Sequence, residues 1–249
     1  MEDRSETMAR KQGRGLFITG TDTGVGKTLV ASALGLGLEA LGQGPVCVMK
    51  PVETGCRLRN GKRVPHDARF HRRMLMLSET EESLCPVRLR YPLAPLSAAE
   101  LEGRTLKKTD WLPAFKRLQE RYGFVLVEGA GGAMVPLSMS CMMSDMAMDL
   151  KVPCVVVART ALGTINHTLL TVEHLRSKGV PVLGLVFNRV GVPGRASLAE
   201  VTGPELASSL ASVPVLGTMP RMVAVTRKAL AAAGTGMAQR LVTLLDGGA

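Results

Sequence analysis

The chain has 249 residues, 46% of them hydrophobic and 21% charged, a globular composition long enough to bury roughly three quarters of its unfolded surface without disulfides or a structural metal. Its five cysteines, Cys47, Cys56, Cys85, Cys141 and Cys154, are scattered and form no CxxC pair, which excludes a disulfide scaffold or zinc ribbon and reads as reduced cytosolic thiols. A net charge of +10 with only 3% aromatic residues argues against a nucleic-acid surface, which pairs basic patches with stacking rings.

No apolar run approaches the ~18 residues of a membrane helix, and the N-terminus is polar where a signal peptide would be greasy, so the expected location is the cytoplasm. Residues 1–14 are expected to be a disordered polar leader, with Met8 a second candidate start, and residues 15–249 a single domain. The first strand is predicted over Leu16 to Thr19. Gly20-Thr21-Asp22-Thr23-Gly24-Val25-Gly26-Lys27-Thr28 follows, and an apolar helix from Leu29 to Leu41 comes directly after it. That context suits a phosphate cradle. Gly24 and Gly26 let backbone N–H groups turn inward, Lys27 reaches β and γ phosphates, and Thr28 offers a hydroxyl to Mg²⁺. The strict GxxxxGK[ST] pattern wants glycine where Thr21 stands.

Val46 to Met49 reads as the second strand, and Lys50-Pro51-Val52-Glu53-Thr54-Gly55 puts a cation directly after it. The stretch from Arg57 to Arg73 carries seven Lys/Arg against the single acid Asp67 and reads as a solvated basic loop. Pro92 and Pro95 punctuate a further loop. A helix over Trp111 to Tyr122 leads into a strand over Phe124 to Val127, which ends in Glu128-Gly129-Ala130-Gly131-Gly132. A lone acid after an apolar strand is the position that holds a hard metal ion beside a triphosphate. Cys154 to Ala158 is the fourth strand, and free N–H groups at residues 162 to 165, where the helix Thr164 to Lys178 begins, form an anion site. A carboxylate docking at these amides and plain capping by Thr164 are the two readings there, and His167 is assigned no chemistry. A strand over Val182 to Phe187 and a helix over Val225 to Leu245 complete the pattern. Apolar strands alternating with helices predict an α/β fold with a doubly wound, mainly parallel sheet, its ligands beyond the carboxyl ends of the strands.

GTDTGVGKT at 20 to 28, KPVETG at 50 to 55, EGAGG at 128 to 132, VPL at 135 to 137 and LGTINH at 162 to 167 together resemble the dethiobiotin synthetase family of P-loop NTPases. That resemblance implies an ATP-dependent carboxylase and cyclase that closes the ureido ring in biotin synthesis. It implies that Lys27 binds phosphates and that Lys50 is catalytic. Thr23 and Thr54 would contact the diamine substrate, and Thr28, Asp67 and Glu128 would hold Mg²⁺. The nucleotide would lie against Gly24, Val25, Gly26, Lys27, Thr28 and Leu29, with Gly129, Ala130 and Gly131 opposite. Asn188 and Arg189 would face the adenine, and Pro220 would line its pocket. Gly24 stands where an acidic residue often precedes the Val-Gly-Lys-Thr core. The substrate carboxylate would dock at Leu162, Gly163, Thr164 and Asn166 of a partner subunit, making the active unit a homodimer.

Two other readings share the phosphate loop. An amidoligase would normally add a glutaminase domain with a nucleophilic cysteine, and no such context is found here. A ParA/MinD-like nucleotide-switched ATPase would usually place a lysine near the start of the loop, where this chain has Gly20-Thr21-Asp22.

Overall fold

The computed structural model describes residues 13–190 and 196–247. Six strands make one sheet: β1 (Arg14–Gly20), β2 (Val46–Met49), β3 (Phe124–Glu128), β4 (Cys154–Arg159), β5 (Val182–Asn188) and β6 (Val215–Met219). Their spatial order is β6-β5-β4-β1-β3-β2, and every pair is parallel. Strand residues from β1 to β4 are almost all buried, which explains their unbroken apolarity: helices cover both faces, so neither side of the pleat can be polar. The chain winds from β1 out to the β2 edge, returns, then crosses to the β4 side. The carboxyl end of β1 is therefore the point where winding reverses, and ligand crevices form at such points.

The helices that matter for the site are α1 (Lys27–Ala40), α2 (His66–Met74), α3 (Leu112–Gln119), α4 (Met143–Leu150), α5 (Thr164–Ser177), α6 (Leu198–Ala211) and α7 (Arg227–Asp246). Right-handed crossovers put α1 on one face and α3 and α5 on the other. Helix α7 lies along α1, and a Cβ on Gly234 would come within 1.8 Å of the Ala33 carbonyl oxygen. Gly37 meets the Gly234 backbone in return. Trp111, Phe17, Phe115, Phe124 and Phe187 are fully buried in the core. Among the described residues no helix is long and apolar enough to cross a membrane.

Several expectations change. Residues 1–12 of the expected leader lie outside the described residues, while Gly13 donates its N–H to the Gln119 carbonyl and Arg14 pairs with Phe124 in the sheet. The basic stretch is no solvated loop: Arg57–Arg59 and Lys62–Val64 form an antiparallel hairpin, and α2 follows. Asn60 and Gly61 turn it at φ 50° and 72°, the paired positive φ of a two-residue hairpin loop. Pro95 opens a short helix, Pro95–Glu100, at the position where a missing N–H costs nothing. The structure adds α4, α6 and β6. Half-exposed β6 carries Gly217 mid-strand, where a Cβ would lie 2.6 Å from the Met237 Cγ, and α6 contains Pro204.

Gly234→Ala gains helix propensity of ~1 kcal/mol but drives a methyl into the α1 backbone. We expect a net destabilisation of about 1–3 kcal/mol, measured by thermal unfolding; a Tm equal to or above that of the unaltered chain would show that the two helices separate freely.

Candidate active site

The phosphate loop occupies the gap between β1 and α1. Gly24 and Gly26 take φ 73° and 97°, conformations that a side chain resists, and Gly26 leads the loop into the N-terminus of α1. Val25 is fully buried beneath them. Asn188, at the end of β5, donates through Nδ2 to the Val25 carbonyl at 2.9 Å. A Cβ on Gly26 would sit 2.0 Å from that nitrogen, so the loop is shaped against the β5 end. Lys27 Nζ donates to the Asp22 carbonyl at 2.9 Å, and the Asp22 carboxylate accepts from Thr23 N–H and from Arg159. Burial, with the nearby Lys50 charge adding to it, lowers the Lys27 ammonium to about 8.

Register across the sheet fixes the next pair. Met49 of β2 lies beside Val127 of β3, so the residues that follow, Lys50 and Glu128, emerge side by side. Lys50 Nζ lies 2.7 Å from Glu128 Oε1 and 2.9 Å from Asp67 Oδ2, and it also donates to the Gly129 carbonyl at 3.2 Å. Lys50 is 4% exposed and Glu128 1%. Burial alone would discharge both groups, pushing the carboxyl up and the ammonium down. Their mutual attraction, joined by Asp67 on the lysine and His71 on the glutamate, reverses both shifts: the Glu128 carboxyl falls well below the usual carboxylate range and the Lys50 ammonium rises. Thr28 Oγ1 donates to the same Glu128 Oε1 at 2.9 Å.

Helix α2 supplies the remaining polar groups. Its N-terminus is closed by Glu53, whose carboxylate accepts from the N–H groups of His66, Asp67 and Ala68. An anion there satisfies amides that have no partner inside the helix. Burial, with the Asp67 charge adding to it, pushes the Glu53 carboxyl up to about 7 against the pull of those amides. One turn further, the fully buried His71 reaches Glu128 Oε2 through Nε2 at 2.7 Å and Ser32 Oγ through Nδ1 at 2.8 Å.

A cavity of about 450 Å³ joins these parts, lined by Thr23, Gly24, Gly26, Lys27, Thr28, Leu29, Lys50, Glu53, Thr54, Asp67, Glu128, Ala130 and Gly131. Twelve of these were singled out in the sequence; Glu53 was not assigned a role. Val25 and Gly129 support the walls from behind. Asn188, Arg189 and Pro220 gather at the adjoining ends of β5 and β6, where Asn188 pairs with Met219. Leu162, Gly163, Thr164 and Asn166 do not line this cavity. Leu162 is 94% exposed, Gly163 caps α5 in a left-handed turn, and no side chain caps that helix. Among the described residues the buried Thr164 hydroxyl has no hydrogen-bond partner, so the capping alternative does not hold. His71 and the backbone of Asp22 were missed. The available signal for His71 was its place four residues after Asp67, one helical turn on the same face, but it required knowing that this stretch is helical.

The profile of a family described as AAA domain matches residues 14–229. The chain is 40% identical to the ATP-dependent dethiobiotin synthetase BioD of Thermodesulfovibrio yellowstonii, over 83% of this chain and 88% of that one. It is 45% identical to the protein of the same name from Anaeromyxobacter dehalogenans, over 72% and 78%. Among solved structures, the MinC:MinD cell division protein complex of Aquifex aeolicus superposes with a TM-score of 0.57 at 15% identity, covering 92% of this chain and 96% of that one. At that identity the likeness concerns the fold alone.

The lowered Lys27 value carries a pH signature. Between about 8 and its ordinary 10.5, the native lysine is neutral while the unfolded one is charged, so the unfolded state binds more protons and stability rises with pH across this window. A polyphosphate restores the charged form. ADP binding at a pH just above 8 is therefore expected to take up a proton, measured by calorimetry in buffers of different ionisation heat, and Lys27→Met is expected to remove that uptake.

Proposed function

Since this chain belongs to the ATP-dependent dethiobiotin synthetase family, we propose that it uses ATP to carboxylate 7,8-diaminononanoate with CO₂ and close the product to dethiobiotin, a step of biotin biosynthesis. The observation that carries this reading is the buried Lys50 ammonium, held between Glu128 and Asp67 beside the phosphate loop.

The reaction brings two anions together. One substrate amine adds to CO₂ and loses a proton, giving a carbamate; a carbamate oxygen then attacks the γ-phosphorus and expels ADP. The second amine attacks the resulting carbamic-phosphoric anhydride at carbon, phosphate leaves, and the cyclic urea forms with loss of a second proton. No protein nucleophile is needed, so the chain contributes position and charge. Lys27, which rests on the Asp22 carbonyl, is free to turn to the phosphates, and Lys50 faces the carbamate. Thr23 and Thr54, which both line the cavity, align the two nitrogens. The all-oxygen set of Thr28, Asp67 and Glu128 suits Mg²⁺, which takes one or two carboxylates and completes its shell with phosphate and water. The two carboxylates already share one cation, the Lys50 ammonium. Bound Mg²⁺ supplies neutralisation of the transferring phosphoryl group. Asn188, Arg189 and Pro220 hold the adenine, and Leu162, Gly163, Thr164 and Asn166 serve the carboxylate of substrate bound to a partner protomer. The working unit is thus a cytoplasmic homodimer acting on small molecules.

An assay with Mg²⁺, ATP, bicarbonate and the diamine is expected to release phosphate together with a product heavier by one carbonyl bridge. Phosphate release without the diamine would favour a ParA/MinD-like switch, and release only with ammonia and a carboxylic acid would favour an amidoligase. Lys50→Gln is expected to lower turnover by about 10² to 10³, the usual effect of removing one stabiliser of developing negative charge; a variant within twofold of the unaltered enzyme would contradict the role. Sedimentation at assay concentration is expected to give a dimer, and a fully active monomer would refute the shared site.

A further inference from the structure

We propose that His71 is a positioning residue that fixes the Glu128 carboxylate, so that Oε1 alone faces the cavity while Oε2 is held from behind. This inference rests on the reading of Glu128 as a metal-holding group of an ATP enzyme.

Glu128 divides its two oxygens between two sides. Oε1 accepts from Thr28 and Lys50, and Oε2 lies 2.7 Å from His71 Nε2. An ionised carboxylate can only accept, so Nε2 carries the hydrogen, and Nδ1 pairs with Ser32 Oγ at 2.8 Å. Ser32 and His71 are both 0% exposed, so neither bond faces solvent. Three separate elements meet in this relay: α1 through Ser32, α2 through His71 and β3 through Glu128. Helix α2 is itself anchored, because Glu53 closes its first turn. Asp67 and His71, four residues apart, therefore descend together on the Lys50–Glu128 pair. A carboxylate with only one of its oxygens engaged could swing about its terminal torsion, and the ring prevents this swing. Groups that orient a metal ligand from outside commonly matter by about 10- to 100-fold in metal affinity.

The test compares the unaltered protein with His71→Leu and His71→Gln. Mn²⁺, a paramagnetic probe of the Mg²⁺ site, is titrated into the ADP-bound protein and followed by electron paramagnetic resonance, with Tm measured alongside. His71→Leu is expected to weaken Mn²⁺ binding by about 10- to 100-fold and to raise the Mg²⁺ requirement of turnover more than it lowers kcat. His71→Gln, whose side-chain amide can still donate to Oε2, is expected to recover most of the loss. A purely structural role would lower the Tm of both variants and leave Mn²⁺ affinity unchanged. Mn²⁺ binding by His71→Leu within twofold of the unaltered protein, or a glutamine variant as impaired as the leucine one, overturns the proposal. Should His71→Leu fail to fold, Ser32→Ala decides: weaker Mn²⁺ binding in the same direction supports the relay, and unchanged affinity overturns it. Absence of dethiobiotin formation by the unaltered protein would overturn the functional reading instead, and the Mn²⁺ comparison would still decide the role of His71.

Discussion

A lysine and a glutamate, both cut off from solvent, sit in contact at the carboxyl edge of two neighbouring strands. Burying either charge alone is prohibitive, and the pair is tolerated because each is the other's counter-ion and further groups complete both shells. Such a pair adds little net stability compared with well-packed apolar side chains, whereas removing one partner typically costs about 3–5 kcal/mol. Its value lies in the field it maintains. A fixed ammonium in a water-poor crevice acts on arriving anions with far less screening than it would at the surface.

The rest of the architecture can be read as the scaffolding this contact requires. Parallel pairing of β2 and β3 sets the two residues level, and α1 brings Thr28 to the glutamate. Helix α2, which hangs between β2 and β3 in the chain, closes the far side with Asp67 and His71. Helix α2 packs Ala68 and Met74 into the core with Phe70 against it, and the Glu53 carboxylate fastens its first amides.

What could be read from the chain, and what could not, follows from the range of the forces involved. The strand Val46–Met49 was located to the residue, since a strand buried on both faces leaves an unbroken apolar run. Lys50 and Glu128 stood out because a charge directly after such a run has only one place to go. The hairpin and α2 were hidden because their sequence is dominated by arginines, and only the Asn60-Gly61 pair signalled a turn. Strand β6 escaped because its outer edge is wetted and a glycine interrupts it. The only local signal for His71 was its place four residues after Asp67, which carries meaning only once the stretch is known to be helical. Its meaning depends on a glutamate 57 positions away and a serine 39 positions away, and tertiary proximity alone reveals the relay.

The close approach of Gly37 and Gly234 bears on how the protein comes into being. Helix α1 presents the N-terminal turn of the phosphate loop, yet part of its flank is covered by α7, which the ribosome releases only after every strand of the sheet. Until then, Ala33 and Gly37 lack the close approach of Gly234 and Ala238 that they have in the finished molecule. A nascent or prematurely ended chain thus carries the whole nucleotide motif on an unbraced helix. The bracing of the triphosphate cradle is completed by a helix distant from it in sequence.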